Sequence, residues 1–152
     1  MHKLNSYYGM AENDYLFAKA GLETCKVLGN YNAVASGCAQ AAEKYLKSLA
    51  ELCLVDDPEA LGYMRSHNLR TLVSKIKTCI PGIQLDIKDS KWLGDYYFEA
   101  RYPGDNFVEV TEEDGVECIR IVEGIREVIT EEVVRILQER KNQNPWQDMK
   151  KL

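Results

Sequence analysis

Histidine is nearly missing from this chain: His2 and His67 are the two it has. Cysteine occurs five times, at Cys25, Cys38, Cys53, Cys79 and Cys118, an odd number with no Cys-x-x-Cys spacing. Together these shortages leave no zinc-site pattern, so no metal and no cofactor are expected. Proline is scarce, at four residues, which leaves room for long helices. No apolar run approaches the ~18 residues of a membrane span. The stretch Met1 to Tyr8 lacks the apolar core of a signal peptide. Positive charge is also in deficit. A net charge of −5 argues against broad, non-specific nucleic-acid binding but leaves room for a local basic cleft.

What is present is helix-forming and patterned. The 152 residues are the usual size of one domain, and such a chain buries about 68–70% of its unfolded surface. From Gly37 to Ala50 the chain holds almost nothing but good helix formers. Ala35, Cys38, Ala42, Tyr45, Leu46, Leu49, Leu52 and Cys53 recur at three- and four-residue steps, while Gln40, Glu43, Lys44, Lys47 and Glu51 take the other side. Small residues at Ala35, Ala39 and Ala42 allow another helix to approach closely. This is read as the central helix of a bundle, spanning about 31–54.

The first helix is predicted over about 10–28 from Ala11, Asp14, Tyr15, Ala18, Leu22 and Cys25, with Phe17, Gly21 and Leu28 widening the stripe. Gly29 suits the left-handed end of that helix, and Asn30 is the expected cap of the next. Val55-Asp56-Asp57-Pro58 ends the central helix, and a helical turn is expected through 59–63. A helix starting near 66–68 carries Leu69, Leu72, Val73, Ile76 and Ile80, and Pro81-Gly82 stops it. Residues 83–88 alternate but have no partner strand, so they are read as an extended connection. A shorter helix follows over about 90–100, then the turn Arg101-Tyr102-Pro103-Gly104-Asp105. Thr111 caps the last helix, whose stripe runs from Ile119 to Leu137. The expected organisation is an N-terminal extension (1–9), one all-α domain (10–140) and a polar tail (141–152) containing Trp146. The domain is an antiparallel up-and-down four-helix bundle with one or two short extra helices. Cys25, Cys38, Cys53 and Cys118 fall on or beside the apolar stripes, where free cysteine acts as a small hydrophobe; this usage points to a reducing cytoplasm.

Three segments stand in a characteristic order: Ala11-x-x-Asp14 through Ala18 to Gly29-x-Tyr31; Ala41-Ala42-Glu43-Lys44-Tyr45-Leu46-Lys47, then Ser66-His67-Asn68-Leu69 with Leu72; and Tyr97 through Arg101-Tyr102-Pro103-Gly104-Asp105. The set resembles the HEPN domain over about residues 10–140. The resemblance implies a bundle that is usually dimeric. It also implies either RNA cleavage, or nucleotide binding and pairing with a minimal nucleotidyltransferase in a toxin–antitoxin-like system. The ribonuclease branch uses an arginine-x4–6-histidine motif at a dimer cleft, without metal. The required positions before His67 are Gly62, Leu61 and Ala60, Arg65 is too close, and nothing suitable precedes His2. The motif is absent, so the expectation is a non-catalytic binding protein.

The candidate nucleotide- or RNA-binding residues are Lys44, Lys47, His67, Arg70, Arg101 and Tyr102. Each has a structural alternative. Lys44 and Lys47 either grip phosphate or form a solvated face with Glu43 and Glu51. His67 either meets phosphate at a helix start, or caps that helix or packs against the bundle, having no carboxylate neighbour in sequence. Arg101 and Tyr102 either bind phosphate and stack a base, or pair with Asp14, Glu43 or Asp105 and close the bundle end. Asp14 is a site carboxylate or a partner for a neighbouring cation. Tyr15, Tyr31, Tyr45 and Tyr97 are assigned to the core. Two further readings stay open: an atypical metal-independent ribonuclease using His67 with Arg70 or Arg101, and a purely structural interaction module.

Overall fold

The computed structural model describes residues 3–144. Among them are six helices and no strand: α1 (Tyr7–Leu28), α2 (Asn32–Cys53), α3 (Ala60–Arg65), α4 (Leu69–Cys79), α5 (Ile87–Arg101) and α6 (Glu112–Gln143). The chain is all-α. Helix α2 packs against every other helix. Ala35, Cys38, Ala41, Ala42, Tyr45, Leu46, Leu49 and Ala50 of α2 are fully buried. Small residues make this possible. A Cβ on Gly37 would stand 3.0 Å from the Ala18 Cβ, so α1 and α2 touch where neither has bulk.

Contacts along α2 set the directions. Ala18 lies by Gly37 and Glu12 by Tyr45, so α1 is antiparallel to α2. Gly115 lies by Tyr31, and Arg140 donates to the Leu52 carbonyl at 2.7 Å, so α6 is parallel to it. The α5 end reaches Asn32, at the start of α2. Helices α1, α2, α5 and α6 therefore alternate up and down, and α3 and α4 are the two shorter additions. The sequence pattern gave the helix after Ser66 a main place and the next one a minor place. The 15-residue α5 takes that main place, and the 11-residue α4 runs beside α2.

Local caps explain most boundaries. Ser6, Asn68, Asp86 and Thr111 accept from the backbone N–H three residues on, at 3.0, 3.0, 2.9 and 3.2 Å. Two of these start helices earlier than the apolar periodicity predicts, at Tyr7 and Ile87. Residues 7–9 thus belong to α1 rather than to an extension. Tyr8 is buried, edge-on to Tyr45 with centroids 5.6 Å apart, and its hydroxyl shares a 2.6 Å bond with Thr130. Gly29 ends α1 in the left-handed region (φ 79°), as expected. Asn30 does not cap α2. The N-cap is Tyr31, which has no side-chain cap bond and is instead buried, its N–H donating to the Val110 carbonyl at 3.0 Å. Tertiary contacts fix this start, which no local signal encodes.

The α1 stripe is narrower than expected. Phe17 is 83% exposed and Leu28 66%, because they sit off the line through Tyr8, Ala11, Tyr15, Ala18 and Cys25 that meets α2. Ile83 and Leu85 are buried, and Lys77 Nζ holds their carbonyls at 3.2 and 2.9 Å. Helix α6 runs three residues past Arg140. Trp146 and the rest of the tail beyond Asn144 lie outside the described residues, as does His2.

Candidate functional site

The outward flank of α2, the start of α4 and the last turns of α5 enclose one cleft of about 350 Å³. Gln40, Glu43 and Lys44 form one wall, His67 the rim, and Tyr97, Phe98 and Arg101 the other wall. A smaller hollow of about 180 Å³ continues past His67 and Phe98 to Arg70 and Lys91. Four of the six sequence candidates reach this region: Lys44, His67 and Arg101 in the cleft and Arg70 in the hollow. Tyr102 flanks it from the far side of Arg101. Lys47 does not reach it. Its side chain is 6% exposed and donates to Glu43 at 2.7 Å, so neither the phosphate grip nor the solvated face describes it. Its one-turn spacing from Glu43 points it into the bundle.

Arg101 has the clearest chemistry. Its guanidinium carbon lies 5.1 Å from the Tyr97 ring centroid and 5.0 Å from that of Tyr102. It makes no ion pair among the described residues, so the pairings with Asp14, Glu43 or Asp105 do not form. The charge is oriented by π faces, which leaves its N–H fork available to an anion. Tyr102 is 62% exposed and Phe98 58%, so flat apolar faces stand beside that charge. Tyr97, assigned to the core from its stripe, is half-buried and lines the cleft.

His67 has a carboxylate partner that sequence distance concealed. Its Nδ1 lies 3.0 and 3.2 Å from the two Glu43 oxygens, 24 positions away. Glu43 is an acceptor, so Nδ1 carries the proton. Its Nε2 is without a partner among the described residues, and the ring is 74% exposed. The cap of α4 is Asn68, not His67. Lys44 pairs with Asp14 across to α1, so its charge is partly neutralised in the cleft wall. That contact decides for Asp14 as a partner to a neighbouring cation.

The α5 wall is held from behind by one side chain. Asn32 Nδ2 donates to the Ala100 and Val108 carbonyls, both at 2.9 Å, and its Oδ1 accepts from Val110 N–H at 3.0 Å. The residues between those anchors include Arg101 and Tyr102. Asn32→Ala removes three bonds and strands partly buried backbone groups. It is expected to cost about 2–3 kcal/mol and to expose residues 102–109 to proteolysis, measured by thermal unfolding and by limited chymotrypsin digestion after Phe107.

Sequence reasoning missed Glu43, Phe98, Gln40 and Asn32. Phe98 was visible in the Tyr97-Phe98-x-x-Arg101 spacing, which puts an aromatic and a cation one turn apart. No group of three or more His, Cys, Asp or Glu gathers to hold a metal among the described residues. No helix described is long and apolar enough to cross a membrane.

The architecture and cleft define an all-helical domain with an accessible arginine set among aromatic rings. Residues 5–133 match the HEPN domain, most of the chain, and the protein belongs to that family, whose function is nucleotide- and RNA-related. No curated protein and no solved structure matches the chain.

Proposed function

We propose that the protein is a non-catalytic HEPN-domain protein that binds RNA through the α2–α4–α5 cleft. The observation that carries this reading is Arg101, without an ion pair among the described residues and set against the rings of Tyr97 and Tyr102. Its fork suits a phosphate, while Phe98 and Tyr102 offer faces for bases. His67 Nε2 and Arg70 supply further donors along the same path. The chain is acidic on balance, at a net charge of −5, which disfavours RNA binding away from such a cleft. Fluorescence anisotropy with a labelled single-stranded RNA tests it. Arg101→Ala is expected to weaken binding about ten-fold or more and to lower the salt slope by about one, with an unchanged melting temperature. Equal affinity of parent and variant would overturn this cleft as the RNA site, and no binding of RNA or nucleotide by the parent would favour a structural module.

The His67–Glu43 contact favours a second reading, an atypical metal-independent ribonuclease. A histidine held at Nδ1 by a carboxylate and open at Nε2 is arranged for proton transfer beside a bound phosphate. RNA cleavage in EDTA that disappears in His67→Ala would establish it. The family relationship supports a homodimer, a cytoplasmic setting, and a minimal nucleotidyltransferase as partner in a toxin–antitoxin-like pair. A nucleotide is the alternative ligand for the same cleft.

A further inference from the structure

The chain carries 24 acidic residues, yet none falls between Glu59 and Asp86. That span holds α3 and α4, with Arg65, Arg70, Lys75 and Lys77. Lys77 turns to the Ile83 and Leu85 carbonyls, and Lys75 pairs with Asp57 at 2.7 Å. Arg65 and Arg70 make no ion pair or side-chain hydrogen bond among the described residues. On α6, by contrast, Arg120, Arg126 and Arg135 each have a carboxylate. With Arg101, the unanswered guanidinium charge therefore gathers on the α3–α4–α5 side.

The outer face of α4 is grooved. Arg70, Thr71, Ser74 and Thr78, with Tyr63 and Lys75, border a space of about 470 Å³, while Leu72, Val73 and Ile76 face the core. From Arg70 to Thr78 the groove follows α4 for about 12 Å. It shares Asn68 and Arg70 with the hollow, and the hollow shares His67 and Phe98 with the cleft. The three concavities thus form one trough. Lys44, Lys91 and Lys75 along it are matched by Asp14, Asp95 and Asp57. Arg101 in the cleft, and Arg70 where the hollow opens into the groove, are not.

We propose that the RNA strand held in the cleft continues through the hollow and along the outer face of α4, so that the ligand is a single strand of several nucleotides rather than a mononucleotide. This rests on the cleft being the RNA site. Arg101 and Arg70 each take a phosphate. Between them Phe98, 58% exposed, borders both cleft and hollow and offers its face to an unstacked base. A duplex keeps its bases stacked and out of reach of that ring, which selects a single strand. Beyond Arg70 the exposed Thr71 and Ser74 hydroxyls serve phosphate and ribose oxygens, and no carboxylate of α4 repels the strand.

Fluorescence anisotropy of the full chain with labelled RNA single strands of two and eight nucleotides tests this. The octanucleotide is expected to bind the parent about ten-fold or more tighter than the dinucleotide. Ser74→Glu, an exposed substitution, puts a carboxylate into the groove one turn from Arg70. It is expected to weaken the octanucleotide about ten-fold and to leave the dinucleotide and the melting temperature unchanged. Arg70→Ala is expected to lower the salt slope of octanucleotide binding by about one. Arg101→Ala is expected to weaken both lengths. An octanucleotide bound no tighter than the dinucleotide, or indifferent to Ser74→Glu, would overturn the path, and an Arg101→Ala loss at both lengths would still keep the cleft as the RNA site. Equal competition by a duplex of eight base pairs would overturn the single-strand assignment. If Arg101→Ala changes neither length, the cleft reading falls and the path with it.

Discussion

Tyr45→Ala is expected to lower stability by about 4 kcal/mol and the melting temperature by roughly 8–16 °C. Tyr45 is fully buried where α1, α2 and α6 converge. Its hydroxyl donates to Glu12 at 2.6 Å, and the same carboxylate takes two bonds from Arg126, at 2.6 and 3.0 Å. Arg126 also lies over the Tyr15 ring, 5.0 Å from its centroid. Truncation opens a ring-sized cavity and removes a donor from Glu12. Tyr45→Phe keeps the ring and loses one charge-assisted bond, so about 1–2 kcal/mol is expected. Urea unfolding of the pair separates packing from hydrogen bonding, and equal losses would show that packing contributes little. Burial, then the Glu12 bond, pushes the Tyr45 hydroxyl above the ordinary tyrosine range. A raised folded value means the contribution is whole below the usual pKa of about 10 and declines as pH rises past it.

Glu43→Ala is expected to cost about 3 kcal/mol, although Glu43 lines the cleft. Lys47 is almost fully enclosed and Glu43 is its charge partner. Removing the carboxylate leaves an ammonium in the bundle with nothing to neutralise it. The double variant Glu43→Ala/Lys47→Met removes both charges and keeps the stem, so it is expected to recover most of the loss. Chemical denaturation of the two single variants and the double variant measures the coupling. Recovery below about 0.5 kcal/mol would refute the assignment. An RNA-binding defect in Glu43→Ala alone mixes loss of His67 orientation with loss of stability. The double variant separates them, since His67 lacks its carboxylate in both.

The all-α class, the central place of α2 and the Gly29 turn were legible because they rest on short-range rules: helical periodicity, a left-handed glycine and small residues on one face. The starts of α1 and α5 were displaced because the caps Ser6 and Asp86 lie outside the apolar stripe. Phe17 was misplaced because periodicity finds a face but not its width, which depends on what packs there. Arg101 and Tyr102 stood out as a cation beside an aromatic at a constrained turn. That Arg101 would lack a carboxylate and Lys47 would have one was not readable, because both depend on which helix lies opposite. The Glu43–His67 and Asn32–Val108 contacts join residues 24 and 76 positions apart. Only the packing of α4 and α5 on α2 brings them together.

The tight Gly29 connection also orders events in time. With only Gly29, Asn30 and Tyr31 between them, α1 and α2 meet at little loop-closure cost, whereas α6 reaches α2 only across the whole span from Leu54 to Thr111. Contacts of low sequence separation form early, so the α1–α2 hairpin is the natural nucleus onto which α6 condenses. Substitutions at Gly37 and Ala18 then slow refolding, while those in the carboxyl half of α6 act mainly by hastening unfolding.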